Sequence, residues 1–146
     1  MIGIASDHGG FALKEELKKH LEEKGYELKD YGCFSEESCD YPDFAHKVTD
    51  AVLSGECGKG ILLCGTGIGM SMTANKVKGI RAALCGDCFS AEATREHNDS
   101  NVLCIGARVT GPELAFKIAE IFLSTEFSGD ERHIRRIGKI GEEYKG

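Results

Sequence analysis

The stretch from Gly60 to Ser71, Gly-Ile-Leu-Leu-Cys-Gly-Thr-Gly-Ile-Gly-Met-Ser, narrows the possible folds more than any other part of the chain. Ile61, Leu62 and Leu63 form an apolar run without polar alternation, which suits a strand buried on both faces, in a parallel sheet covered by helices. Cys64 closes that strand, and glycines follow at alternate positions, Gly65, Gly67 and Gly69, before a helical pattern begins. In open α/β sheets ligands bind beside the carboxyl ends of strands. Glycines bring bare backbone N–H groups close to whatever is bound there, and the same donors open the next helix, whose dipole favours an anion. The stretch therefore sets a thiol beside an anion hole.

The rest of the sequence alternates strand and helix patterns with short connections, the signature of the α/β class. Ile2 to Ala5 is a first buried strand, followed by the turn Ser6-Asp7-His8-Gly9-Gly10. An amphipathic helix with Phe11, Leu13, Leu17 and Leu21 inward comes next, ended by Gly25. Tyr26 to Tyr31 alternates and reads as a strand near an edge, and Tyr41-Pro42-Asp43 opens a helix with proline in its first turn. Strand four is expected over Ile80 to Cys85, a polar helix over Ser90 to His97 and strand five over Val102 to Gly106. Gly111-Pro112-Glu113 starts an apolar helix with Leu114, Ile118, Ile121 and Phe122 toward the sheet, and the tail from Asp130 forms a last helix. Five parallel strands with helices on both faces is the expected architecture, folded as one domain over residues 1–146.

Right-handed crossovers fix the strand directions. All carboxyl ends lie on one rim, which gathers Asp7, His8, Tyr41, Cys64, Thr66 and Arg108. His97 and Asn98, between a returning helix and the fifth strand, belong on the opposite rim. They do not easily reach Cys64 within one chain.

A formal charge of -6 disfavours a nucleic-acid or anionic-membrane surface, so any anionic ligand is held locally. The amino terminus lacks a signal-peptide pattern and no apolar run approaches membrane-spanning length, which makes a cytoplasmic protein the expectation. Seven scattered cysteines are an odd set unlike a secreted disulfide framework, and free thiols are expected. Cys85-Gly-Asp-Cys88 stands without a second pair or a convincing histidine, so no metal site is expected.

Cys64 is the leading reactive group, since a thiol at a helix amino terminus is favoured as the thiolate, the useful base or nucleophile. Read as a dinucleotide fingerprint, the loop is G-x-G-x-G rather than G-x-G-x-x-G, although Asp87 lies where a ribose-binding acid would. A non-catalytic nucleotide-binding module is therefore the competing reading. Asp7-His8 is either a helix cap or a ligand contact, and His97-Asn98-Asp99 taken alone reads first as a helix terminus. Arg132 and Arg136 lie one turn apart on a helical face, with Ile134, Ile137 and Ile140 available to pack on the body. The paired guanidiniums suit a phosphate, or form a solvated basic face.

Taken together, Asp7-His8-Gly9-Gly10, Asp40-Tyr41-Pro42, Cys64-Gly-Thr-Gly-Ile-Gly69, Ala74-Asn75-Lys76, Gly79-Ile80-Arg81-Ala82, His97-Asn98-Asp99, Asn101-Val102-Leu103 and Gly106-Ala107-Arg108 resemble, in order and spacing, the type B ribose-5-phosphate isomerases. The wider family includes allose-6-phosphate isomerase and the galactose-6-phosphate isomerase subunits. The resemblance implies a Rossmann-like three-layer α/β/α fold with strand order 2-1-3-5-4. It implies a cofactor-free aldose-ketose isomerase of the pentose phosphate pathway, acting through a cis-enediolate, with allose 6-phosphate or another hexose phosphate as the alternative substrate. By the same likeness Cys64 is the base and Thr66 its assistant, and the loop Gly65, Gly67, Ile68 and Gly69 holds the enediolate oxygen rather than the phosphate. His97 with Asp7 opens the furanose ring, Asn98 and Tyr41 contact the sugar, and His8, Arg132 and Arg136, with Arg108, hold the phosphate, Arg135 being the alternative to Arg136 as the partner of Arg132. Finally, it implies a homodimer, or a tetramer of such dimers, whose sites draw on both subunits, so that His97 and Asn98 serve a neighbouring copy's Cys64.

Overall fold

The computed structural model describes residues 1–146. In chain order it contains β1 (Ile2–Ser6), α1 (Phe11–Glu23), β2 (Leu28–Asp30), α2 (Tyr41–Leu53), β3 (Lys59–Cys64), α3 (Ile68–Asn75), β4 (Ala82–Leu84), α4 (Cys88–Asn98), β5 (Val102–Gly106), α5 (Pro112–Ser124) and α6 (Glu131–Ile140). The five strands form one parallel sheet in the order β2-β1-β3-β5-β4, as the resemblance implied. No helix is long and apolar enough to cross a membrane.

The central strands are apolar because helices cover both faces. Ile4, Ile61, Leu63, Leu103 and Ile105 face α1, α4 and α5, whereas Ala5, Leu62, Val102 and Cys104 face α2 and α3. Leu17 and Leu21 of α1 are fully enclosed, and each contributes roughly 1.5–3 kcal/mol of hydrophobic stabilisation. The chain steps to one side of β1 to make β2 and to the other to make β3. The helices following β1 and β3 lie on opposite faces, so the crevice at their carboxyl ends is the topological switch point of the sheet.

Several elements differ from the expectation. The β2 pairing is confined to Leu28–Asp30 and that of β4 to Ala82–Leu84, because both are edge strands with one neighbour each. Helix α4 begins earlier, at Cys88, since the Asp87 carboxylate accepts the Ser90 N–H at 2.6 Å and caps it. Along α5 the buried residues are Ala115, Ile118, Ala119 and Phe122, while Leu114 is turned outward and Ile121 is half-buried. Phe11 is also half-buried. In α6 Ile134 and Ile140 stay exposed, so its apolar stripe does not seal against the body of this chain.

The buried face of α1 carries one charge. Lys14 is fully enclosed, and its Nζ donates to Asp30 Oδ1 at 2.7 Å, Asp30 Oδ2 at 2.8 Å and the Cys33 carbonyl at 2.6 Å. Lys18 adds a contact to Asp30 Oδ2 at 2.8 Å, and Gly32 N–H reaches Oδ1 at 2.8 Å. This cluster pins edge strand β2 and the loop after it to α1. Burial alone would raise the Asp30 pKa, but the hydrogen bonds from Lys14, Lys18 and Gly32 overcome it and hold the carboxyl below its ordinary range.

Candidate active site

The register of the central strands sets Ser6 beside Leu63 and Cys64 beside Gly106, so the turns leaving β1, β3 and β5 meet on the carboxyl rim. There the backbone of one turn supports the next: Ala107 N–H donates to the Cys64 carbonyl at 2.9 Å, and Arg108 N–H to the Gly65 carbonyl at 2.9 Å. The Arg108 side chain runs along Gly65, and Gly9 adjoins Gly65 from the other side. Tyr41, opening α2, lays its ring over Gly69 and leaves no room there for a side chain. Asp7, His8, Tyr41, Cys64, Thr66, Gly65, Gly67, Ile68, Gly69 and Arg108 thus share one rim.

Cys64 is 5% exposed, and its sulfur accepts the Gly67 N–H at 3.1 Å. The turn delivers that donor because Gly67 adopts φ +77, a left-handed conformation that suits glycine. A Cβ there would fall 2.9 Å from the Ile105 carbonyl carbon and 3.0 Å from Gly106 N, so strand β5 leaves no space for one. Thr66 Oγ1 accepts the Ile68 N–H at 3.2 Å, which leaves its hydroxyl proton free for a ligand. Thr66 and Ile68 are exposed at the lip of the loop.

Asp7 is nearly buried, with Oδ1 accepting Gly9 N–H at 2.9 Å and Gly10 N–H at 3.2 Å. It is therefore both the brace of the turn entering α1 and a carboxylate beside Cys64's loop. His8 Nδ1 accepts the Cys39 N–H at 3.3 Å, so in the neutral ring the proton sits on Nε2. Sequence reasoning missed Cys39 as the support of His8, since it lies far from it in the chain and no spacing marks a loop held from beneath. The Cys39 thiol is itself pushed up by burial first, the neighbouring Cys33 thiol and Asp7 carboxylate adding to the effect.

The second group of candidates lies elsewhere. Arg81, entering β4, donates to the Asn98 carbonyl at 2.9 Å and the Asp99 carbonyl at 2.8 Å, which places His97 and Asn98 at the amino rim, as the crossover argument required. His97 is exposed and stacks on His133 of α6, with ring centroids 4.5 Å apart and planes 21° from parallel. The neighbours of His133 in that helix, Arg132 and Arg136, are exposed and belong to this rim as well. His133 is held below the usual imidazole range, first by burial and then by His97 and the arginines at 132 and 136, with Asp130 opposing. One chain therefore assembles neither the Cys64–His97 pair nor the combination of His8 with Arg132 and Arg136.

Cavity size does not mark the chemistry. A cleft of about 520 Å³ opens at the amino rim between Asn75, Arg81, Asn98, Ile137 and Ile140, whereas the cleft beside Gly9 and Arg108 measures about 330 Å³. Neither is lined by Cys64 or by Gly65 to Gly69, and the smaller reaches the glycine loop only through Gly9 and Arg108, which pack on Gly65; placed donors define a site better than volume. Asp87 is occupied as the cap of α4 rather than turned to a ribose. Cys85 is buried, and that burial, followed by the Asp87 charge, pushes its thiol up to about 11. No three His, Cys, Asp or Glu side chains converge as a metal-holding group.

A doubly wound parallel sheet whose switch point carries a thiol, a left-handed glycine turn and a histidine-arginine border is the arrangement expected of a sugar-phosphate isomerase built on a Rossmann-like sheet, and similarity to known proteins gives that class. The family model described as Ribose/Galactose Isomerase matches residues 2–140. Ribose-5-phosphate isomerase B of Escherichia coli is 48% identical over 139 residues, covering 95% of this chain and 93% of that protein. Among solved structures, ribose-5-phosphate isomerase B of Clostridium thermocellum superposes with a TM-score of 0.94 at 54% identity, covering 96% of this chain and 94% of that one. The ribose 5-phosphate isomerase of Thermotoga maritima does so with a TM-score of 0.94 at 55% identity, covering 96% of each chain. The chain belongs to the ribose/galactose isomerase family and is an aldose-ketose isomerase.

Proposed function

We propose that residues 1–146 act as one cofactor-free isomerase domain that interconverts D-ribose 5-phosphate and D-ribulose 5-phosphate in the non-oxidative branch of cytoplasmic pentose phosphate metabolism. The observation that carries the reading is the Cys64 sulfur at the switch point, 3.1 Å from the Gly67 amide and flanked by the Asp7 and Arg108 turns. The name borne by the Escherichia coli relative at 48% identity supports the pentose phosphate as substrate.

In this mechanism the Cys64 thiolate removes the C2 proton of the open aldose and returns it to C1 after the electrons have shifted through a cis-enediolate. Gly65, Gly67, Ile68 and Gly69 line the turn around the developing oxyanion, with the Thr66 hydroxyl as a further donor. Each well-aimed donor in such a hole is worth about 2.7–4 kcal/mol. Tyr41 walls the sugar. His8, offering Nε2–H, joins Arg108, Arg132 and Arg136 on the phosphate, whose binding energy orients C1 and C2 against the thiol. His97 opens the ring with Asp7 as helper, since Asp7 Oδ2 takes part in no hydrogen bond within the chain, and Asn98 contacts the sugar.

Because His97, Asn98, Arg132 and Arg136 occupy the rim opposite Cys64, the site is completed by a second copy in a homodimer, with tetramers as pairs of such dimers. The exposed side chains of Ile68, Met72, Leu84 and Phe89 around the glycine loop and α4 support apolar burial against that copy. The test is Cys64→Ala: turnover of ribose 5-phosphate falls by about 10²- to 10⁴-fold, and the variant still binds the substrate phosphate. Near-normal turnover by this variant would refute the base assignment. Faster turnover of allose 6-phosphate by the unaltered enzyme would overturn the substrate.

A further inference from the structure

The corner His97-Asn98-Asp99 is braced from two sides. Asp99 ends α4 at φ 46, the one residue other than glycine in the chain with a positive φ. Beneath it the nearly buried Arg95 donates through Nη1 to Asp99 Oδ1 at 2.8 Å and the Ser100 carbonyl at 2.7 Å, and through Nε to the Thr125 carbonyl at 3.0 Å. Arg95 ties the end of α4 to the end of α5 and is part of the fold.

Arg81 is different. Its side chain is 27% exposed, yet its Nε and Nη2 fork onto two consecutive carbonyls, Asn98 at 2.9 Å and Asp99 at 2.8 Å. Its own backbone is fixed by Asn101, whose Oδ1 accepts Arg81 N–H at 2.8 Å and whose N–H reaches the Arg81 carbonyl at 3.0 Å. Asn75 fixes the next residue, exchanging hydrogen bonds with Ala82 at 2.9 and 2.8 Å. A guanidinium supplies two donors in a rigid plane, and an ammonium is a single point charge. The fork therefore sets the direction in which the backbone presents His97 and Asn98, while the stack on His133 sets the ring.

We propose that Arg81 is a positioning residue for the isomerase reaction, fixing the His97-Asn98 corner that one subunit presents to the site of the other. The inference rests on the shared-site reading above. Arg81 touches no reacting atom; its effect reaches the sugar through His97. It follows that Arg81 serves the ring-opening half of the reaction and not proton transfer at Cys64. Ribulose 5-phosphate has its 5-oxygen phosphorylated and so forms no furanose, and exchange of its C1 proton with solvent needs Cys64 and its oxyanion turn but no ring opening.

The experiment uses the full-length chain carrying Arg81→Gln, Arg81→Lys, His97→Gln or Cys64→Ala. With ribose 5-phosphate, Arg81→Gln loses on the order of 10- to 100-fold in kcat, the scale of a small misplacement of a reacting group, and any rise in KM, through Asn98, is smaller than that loss. Arg81→Lys, which keeps the charge and loses the fork, shows a smaller loss in the same direction. Deuterium exchange at C1 of ribulose 5-phosphate persists in both and is abolished in Cys64→Ala. Mixed dimers of Arg81→Gln with Cys64→Ala recover turnover, because one of their two sites receives Cys64 from the first chain and an intact corner from the second. Mixed dimers of Arg81→Gln with His97→Gln do not recover. Unchanged kcat in both Arg81 variants, or loss of exchange in step with turnover, overturns the proposal. If Cys64→Ala and His97→Gln complement each other but Cys64→Ala and Arg81→Gln do not, the role of Arg81 alone is wrong. If Cys64→Ala and His97→Gln fail to complement, the shared site falls and this inference with it.

Discussion

Gly67→Ala tests the link between backbone shape and chemistry most directly. At φ +77 an alanine costs about 1–2 kcal/mol relative to the right-handed region. Its Cβ would also meet Leu84 Cδ1, a half-exposed side-chain end that can turn away, and the Ile105 carbonyl carbon and Gly106 N at 2.9 and 3.0 Å, which belong to the sheet and cannot. The turn must move instead, and the Gly67 N–H, now 3.1 Å from the Cys64 sulfur, leaves its line. The rest of the turn that lines the oxyanion shifts with it, and losing one aligned donor there is worth about 2.7–4 kcal/mol, or 10²- to 10³-fold in kcat. The strain alone lowers the melting temperature by roughly 2–8 °C for a domain of this size. Steady-state isomerisation and a calorimetric melt on the same preparation separate the two effects. A melting temperature that falls as expected with kcat unchanged would show that the turn supports the fold and not the reaction.

Three further outcomes follow from the geometry. Lys14→Met removes the buried partner of Asp30 and costs about 3 kcal/mol, the low end for a broken buried pair because Lys18 remains; a chemical denaturation midpoint that does not move would refute it. Loosening of the loop under His8 should also raise KM more than it lowers kcat in that variant. Asp30 itself makes the fold acid-sensitive. Its folded pKa is depressed, so its contribution is fully present above about 3.8 and fades as pH falls through the lower folded value. Asp30→Asn therefore flattens that acid limb of stability, measured by denaturation at stepped pH, and an unchanged limb would assign it to other carboxylates. His133 acts in the same direction at higher pH: held below 6.5, its imidazole resists protonation in the folded state, so stability declines as pH falls from 6.5 toward the folded value. Replacing it with Phe removes that decline.

How far the site could be read before folding depended on whether a residue acts through its neighbours in sequence. Cys64, Thr66 and the glycines form a local device, strand end plus turn plus helix start, and the alternation of apolar run and glycines announces it. The rim partition was also legible, because parallel strands joined by right-handed crossovers leave few choices, and His97 lies where that argument put it. Edge-strand lengths and the outward faces of Leu114, Ile134 and Ile140 were not, since helical periodicity gives a stripe but not what lies opposite it.

By itself the sequence determined the α/β class, the parallel sheet and the thiol at a glycine turn, all of which follow from short-range patterns of apolar and glycine residues. Only the tertiary structure decided that Lys14 holds Asp30 and the Cys33 carbonyl, that Cys39 orients His8, and that Arg81 clamps the corner carrying His97. Each of these joins residues 16 or more positions apart, and all but the Lys14–Asp30 ion pair do so through backbone groups that every residue type shares. Composition and spacing carry no trace of such partners, because the choice among identical carbonyls and amides is made by packing.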